Sequence, residues 1–236
     1  MASDQGQHAV RACVFDAYGT LFDLGSAVRR QGHMLGDKAD AVALTWRSKQ
    51  LEYAWVGSLR KSHTDFWTCT VEALDHALSF HGANPNLRDD LLQAYRTLDS
   101  YPDAVEALTY LRARGIQTAI LSNGTPQMLE EACEVAGLDR LLDACLSIEE
   151  FGIYKPAPAA YALAGARLGL GPSSIGFVSS NPWDVVGALS FGFLPVWVNR
   201  DGQLDEYSLR SIVHEAATLA AAARCFASAP ELGAIS

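Results

Sequence analysis

Ala12-Cys13-Val14-Phe15-Asp16-Ala17-Tyr18-Gly19-Thr20-Leu21-Phe22 is the stretch on which the fold turns. Its first four residues are apolar without alternation, the pattern of a strand buried on both faces of a parallel sheet. A carboxylate, Asp16, follows at the strand's carboxyl end, and Gly19 permits a tight turn. In open α/β sheets the crevice beyond the strand ends is where ligands bind. Asp16 is therefore placed for chemistry, although a strand-end Asp can equally serve only to cap the next turn.

Outward from this stretch, apolar runs predict further strands over 116–121, within 142–148, over 174–178 and over 194–198. Helical patterns lie between them over 103–114, from 126 to about 135, over 157–168, and finally over 208–224. Strand–helix alternation of this kind predicts an α/β fold, a doubly wound parallel sheet with right-handed crossovers. Between 25 and 98 the pattern is different. No strand is evident, and helical periodicity covers 26–35, 38–60, 64–82 and 86–99. Asp37 or Asp40 is a candidate cap for the second of these helices, and Asn84-Pro85-Asn86 marks a break. An all-helical block here predicts an inserted helical cap domain. The division is 10–22 and 100–225 for the core, 23–99 for the cap, and 1–9 and 226–236 for tails.

Several strand ends and a loop carry polar residues: Asp16 and Thr20, then Ser122 and Asn123, then Lys155 in a loop, then Ser179, Asn181 and Asp184. The fold would converge them on one crevice. A carboxylate, hydroxyls, amides, a lysine and a second carboxylate together read as an active site. Other chemistries lack support. No G-x-S-x-G elbow is present, and the six histidines show no metal-ligand spacing.

A net charge of −9 argues against nucleic-acid and acidic-membrane partners. No run of 18 apolar residues predicts a membrane span, and Met1–His8 lacks an apolar signal core. The cysteines, 13, 69, 133, 145 and 225, are odd in number and scattered, which predicts free thiols in a cytoplasmic protein.

The pattern Asp16-x-x-Gly19-Thr20-Leu21 resembles the first motif of the haloacid dehalogenase (HAD) superfamily. Most members are phosphotransferases with a second Asp two residues on, where this chain has Tyr18. Asp16-Ala-Tyr-Gly-Thr-Leu-Phe-Asp23 is instead similar to the L-2-haloacid dehalogenase branch. Trp46-Arg47-Ser48-Lys49-Gln50-Leu51-Glu52-Tyr53-Ala54-Trp55 resembles that branch's cap-helix motif. Leu121-Ser122-Asn123-Gly124 resembles its second motif, and Tyr154-Lys155-Pro156 with Tyr161 its third. Ser179-Ser180-Asn181-x-Trp183-Asp184 resembles the fourth, with Pro182 as a departure that a first helical turn tolerates. The resemblance covers about 10–225.

The resemblance implies a HAD-like Rossmannoid core and hydrolysis of short-chain (S)-2-haloacids to (R)-2-hydroxyacids. Asp16 would be the nucleophile, Thr20 its hydrogen-bond partner, and Lys155 the cation offsetting repulsion between Asp16 and the substrate carboxylate. Ser122 would bind that carboxylate, and Arg47 with Asn123 would receive the halide. Asp184 would activate water, with Ser179 and Asn181 ordering the network and Tyr161 completing the set. Tyr18, Leu51, Phe66 and Trp183 would wall the substrate pocket. Lys49 and Glu52 read only as a helix-face pair. The implied enzyme needs no metal or cofactor and is a homodimer. Alternatives are a Mg²⁺-dependent phosphatase, a hydrolase of a strained small molecule by the same ester route, and a non-catalytic dimeric binding protein.

Overall fold

The structure, a computed structural model, describes residues 9–30 and 32–227. Six parallel strands form one sheet: β1 (Ala12–Phe15), β2 (Gln117–Ser122), β3 (Ala144–Ser147), β4 (Ile175–Ser179), β5 (Leu194–Val198) and β6 (His214–Ala216). Their order is β3-β2-β1-β4-β5-β6. β1 pairs with β2 on one side and β4 on the other, so the order reverses beside β1. That reversal opens the crevice immediately beyond Phe15. Every residue of β1 and β4 is buried, as strands covered on both faces require. Tight packing explains Gly176 in β4: a side chain there would collide with the Phe226 ring.

The chain leaves the sheet after β1 through Phe22 and Asp23 and returns at Asp99–Tyr101. Asp23 N donates to Asp99 O at 2.8 Å, and Tyr101 N donates to Leu21 O at 2.9 Å, so the two crossings are tied side by side. Between them lie α1 (Gly25–Arg30), α2 (Gly32–Leu35), α3 (Ala39–Leu59), α4 (Phe66–Phe80) and α5 (Arg88–Arg96). Their apolar faces meet at residues such as Val42, Trp46, Ala73, Leu74 and Leu91. Asp65 caps α4 by accepting from Thr68 N at 2.9 Å. Lys49 pairs with Glu52 on the surface of α3 at 2.8 Å.

The remaining helices follow the sheet strands: α6 (Ala104–Arg112), α7 (Pro126–Ala136), α8 (Pro158–Leu168), α9 (Pro182–Phe191) and α10 (Leu219–Ala227). α7, α8 and α9 each begin with proline and end at a glycine in the left-handed region, the expected start and stop chemistry. The departure at Pro182 sits in the first turn of α9, as anticipated. All five cysteines are free.

Three expectations are corrected. The single helix expected over 208–224 is a short 3₁₀ turn (Leu209–Ser211), strand β6 and then α10. An edge strand of three residues is too short to show a period, and only Ala216 in it is buried. Neither Asp37 nor Asp40 caps α3: a 3₁₀ turn (Gly36–Lys38) runs directly into it, leaving Lys38 at the cap position with no side-chain bond to the first turn of the helix. Phe226, assigned to a tail, is buried in α10 beneath β4. The rest of the two expected tails, apart from Ala9 and Ala227, lies outside the described residues.

Candidate active site

Asp16 begins the loop after β1 and is almost wholly buried. Its Oδ1 accepts from Lys155 Nζ at 2.8 Å. Its Oδ2 accepts from Thr20 Oγ1 at 3.0 Å and from Asn181 Nδ2 at 2.7 Å. Gly19 makes this loop possible: its φ of +88° turns the chain so that Thr20 comes back beneath the carboxylate. Thr20 Oγ1 also accepts from Ser180 N at 2.9 Å, which joins the loops after β1 and β4.

Lys155 is fully buried and bridges two carboxylates, donating also to Asp184 Oδ2 at 2.6 Å and to Leu121 O at 3.0 Å. Burial works to lower its pKa, but Asp16 and Asp184 outweigh it and hold Lys155 above the usual lysine value. Asp184, in the first turn of α9, accepts from Tyr161 OH at 2.7 Å and from Ser179 Oγ at 3.3 Å. Burial raises the Asp184 pKa to about 6, with Asp16 adding to the rise and Lys155 opposing it. The lysine thus offsets two carboxylates that could not otherwise share this interior.

Ser122 ends β2, and its Oγ accepts from Gly124 N at 3.1 Å. Asn123 Oδ1 accepts from Lys155 N at 3.0 Å. That bond fixes the amide's orientation and leaves Nδ2 as the end without a protein acceptor among the described residues.

The α3 side of the crevice is aromatic and cationic. Tyr18 stacks on Tyr95 at 5.6 Å between ring centroids and lies 6.4 Å from Phe66. Arg47 Nη2 donates to Tyr18 O at 3.4 Å, the same oxygen that accepts from Asn181 Nδ2 at 3.3 Å. Arg47 Nη1 donates to Gln50 Oε1 at 2.8 Å. No carboxylate pairs with Arg47 among the described residues, so its charge is uncompensated by the protein. Leu51 is buried one turn on from Arg47. Trp183 lies edge-on to Trp55 at 5.3 Å.

Asp16, Thr20, Lys155, Tyr161, Ser179, Asn181 and Asp184 therefore form one hydrogen-bonded cluster. Ser122 and Asn123 adjoin it through Leu121 and the Lys155 backbone, Arg47 meets it at the Tyr18 carbonyl oxygen shared with Asn181, and Phe66 packs beside Tyr18. Leu51 and Trp183 make no hydrogen bond to this cluster; Trp183 precedes Asp184 in α9 and packs on Trp55. Four neighbours were given no role from the sequence, although Trp55, Tyr154 and Gln50 lie inside the quoted motifs. Trp55 Nε1 donates to Lys155 O at 2.9 Å, tying α3 to the lysine loop. Tyr154 OH donates to Thr64 O at 2.5 Å, which ties the connection between α3 and α4 to the same loop. Arg200 donates to Ser180 Oγ at 2.7 Å and Thr20 O at 2.9 Å, and stacks over Tyr101 at 3.7 Å. It follows β5, so the strand-end rule that found Asp16, had it been applied to the strand at 194–198, would have found Arg200 as well.

A carboxylate steered by three donors, beside a buried cation and opposite an unpaired arginine, is equipped for attack on carbon with departure of an anion. Known proteins point the same way. The model of the haloacid dehalogenase-like hydrolases matches residues 10–192. (S)-2-haloacid dehalogenase 4A of Burkholderia cepacia is 46% identical over 213 residues, 89% of this chain and 92% of that protein. (S)-2-haloacid dehalogenase 1 of Pseudomonas sp. (strain CBS-3) is 46% identical over 212 residues, 89% of this chain and 93% of that protein. The structure of L-2-haloacid dehalogenase from Xanthobacter autotrophicus with chloropropionic acid covalently bound superposes with a TM-score of 0.86. It shares 33% identity and covers 94% of this chain and 100% of that one. With sequence, fold and the strand-end cluster in agreement, the chain belongs to the haloacid dehalogenase-like hydrolase family.

Proposed function

We propose that this protein is an (S)-2-haloacid dehalogenase, converting short-chain (S)-2-haloacids to (R)-2-hydroxyacids and halide. One observation carries the reading. Asp16, held by Lys155, Thr20 and Asn181, faces a crevice whose other wall carries Arg47, a cation without a carboxylate partner. The relatives named as (S)-2-haloacid dehalogenases, and the neighbour with covalently bound chloropropionic acid, support it.

Asp16 attacks Cα from the face opposite the halogen. A carbon–oxygen bond forms as the carbon–halogen bond breaks, and its electron pair leaves with the halide. Arg47 and Asn123 Nδ2 receive that charge, which grows only as the bond breaks, so they lower the barrier rather than merely bind substrate. Ser122 and neighbouring backbone N–H groups hold the substrate carboxylate. Lys155 offsets the repulsion between that anion and Asp16. Tyr18, Leu51, Phe66 and Trp183 wall the pocket, and apolar walls keep the nucleophile poorly hydrated.

Water then attacks the carbonyl carbon of the Asp16 ester. Asp184 takes its proton, with Tyr161, Ser179 and Asn181 ordering the network, and the hydroxyacid leaves as Asp16 is regenerated. Cα is attacked once, so its configuration inverts once. Residues 23–99 act as the cap over this site and 10–22 with 100–225 as the core. No helix among the described residues is long and apolar enough to cross a membrane. The chain is read as a cytoplasmic homodimer; exposed Leu44, Leu59 and Phe80 on α3 and α4 support a pairing surface, which sizing in solution tests.

The deciding experiment is halide release from L- and D-2-chloropropionate with EDTA present, beside a phosphatase assay with Mg²⁺. Release from the L form alone, yielding D-lactate, is expected. Mg²⁺-dependent phosphate release without halide release would overturn the proposal in favour of a phosphatase.

A further inference from the structure

Gln50, on α3, is fully buried between α3, α4 and α5. A primary amide there is costly unless its groups are hydrogen-bonded. Its Nε2 donates to Thr70 Oγ1 at 2.6 Å and to Tyr95 OH at 3.0 Å. Thr70 can accept because its own hydroxyl donates onward to Phe66 O at 2.7 Å. With both amide hydrogens committed to α4 and α5, the oxygen has a set direction. It accepts from Arg47 Nη1 at 2.8 Å.

Arg47 needs an anchor of this kind. Its bond to Tyr18 O, at 3.4 Å, is long, and beyond that it only lies against the neutral Tyr95 hydroxyl. It also borders a cavity of about 60 Å³ lined by Leu24, Val28, Ala43, Trp46, Gln50 and Tyr95. A flexible arginine beside open space loses its aim unless something holds the guanidinium. A carboxylate would hold it but would also cancel its charge. An amide oxygen orients it and leaves the charge available.

We propose that Gln50 is a positioning residue that aims the Arg47 guanidinium at the leaving-group side of the crevice. The inference rests on the reading of Arg47 as the group that receives the halide. A purely structural Gln50, joining α3 to α4 and α5, would affect folding and nothing else.

The test is a double-mutant cycle on the full-length enzyme with Gln50→Met, Gln50→Glu, Arg47→Ala and Gln50→Met/Arg47→Ala. Halide release is followed in a single turnover with 2-chloro- and 2-bromopropionate, beside thermal melts. Gln50→Met is expected to slow release by about 10-fold or more with KM little changed, and more for chloride, the poorer leaving group. The double variant is expected to be no slower than Arg47→Ala. Gln50→Glu keeps shape and acceptor but pairs the arginine with a carboxylate, so it is expected to fold and still be slow. This variant keeps the test decisive if Gln50→Met does not fold. Wild-type rates in both Gln50 variants beside a crippled Arg47→Ala would overturn the inference alone, as would additive losses in the double variant. Wild-type rates in Arg47→Ala would overturn the Arg47 assignment and the inference with it.

Discussion

Arg47 and Asn181 reach the same acceptor, the Tyr18 carbonyl oxygen, at 3.4 and 3.3 Å, one from α3 and the other from the loop that ends β4. Asn181 also holds the Asp16 carboxylate at 2.7 Å. The candidate nucleophile and the candidate halide receptor are thus linked through one amide and one carbonyl. The two partners are unequal in what they stabilise. Asn181 is bound to a group present before reaction, whereas Arg47 meets charge that appears during it.

Arg47→Ala should therefore reduce kcat by about 10²- to 10³-fold, the scale for loss of a charge-stabilising group. The melting temperature should fall only modestly, because no ion pair is broken and Gln50 Oε1, losing its donor at 2.8 Å, still has the Tyr95 hydroxyl at 3.4 Å. Steady-state kinetics and a thermal melt on one preparation check both halves. A collapse of the melt would make Arg47 structural.

Asp16→Asn should lower turnover by at least about 10³-fold, since an amide cannot take the place of the attacking carboxylate. In a single turnover in heavy-oxygen water, the wild-type enzyme should place the label in Asp16 and release unlabelled hydroxyacid. Label in the first product would mean that water attacks Cα directly.

Lys155 is fully enclosed between Asp16 and Asp184, at 2.8 and 2.6 Å. Lys155→Met would leave buried carboxylate charge uncompensated, a loss on the order of 3–5 kcal/mol at neutral pH. Acid should restore part of it. A buried carboxylate that has lost its cation binds a proton more readily folded than unfolded, so the variant's stability rises as pH falls. Urea unfolding at pH 7 and pH 5 measures this. Equal deficits at both pH values would contradict the account.

The core of this arrangement was legible in the sequence because each strand end carries its own signal: an unalternating apolar run that stops at a polar residue. Asp16, Ser122 and Ser179 are all found that way, and the helical block between β1 and β2 shows itself by the change of period. What was hidden depends on long-range contact. Arg200 acts on Thr20 from 180 positions away: its place just after β5 marks it as a strand-end residue, but that position does not show which loop it holds. Gln50 looks like an ordinary helix residue until Thr70 and Tyr95 close around it. β6 is missed because its three residues expose His214 and Glu215, so it lacks the apolar run that marks the inner strands.

Asp184, raised to about 6 by burial, sets the acid limit if it takes the proton from water. A base works only when unprotonated, so ester hydrolysis should fall about tenfold per pH unit below that value. Displacement by Asp16 does not use this base, so the ester should accumulate near pH 5 and be visible by mass spectrometry. At the alkaline end Lys155, held above the usual lysine value, should stay charged through the ordinary lysine range. Tyr161 tunes the acid limit, because its hydroxyl donates to Asp184 Oδ1 at 2.7 Å and favours the charged form. Tyr161→Phe should move the acid limb to higher pH. Gly187→Ala should do the same from a distance: a side chain at 187 would collide with the Tyr161 hydroxyl and lie 2.8 Å from Pro156 Cβ, pushing the phenol away. Both variants should shift the profile in one direction, with Gly187→Ala also losing about 1–3 kcal/mol to overpacking. A pH profile unchanged in Tyr161→Phe would mean that Asp184 is not the group that limits turnover in acid.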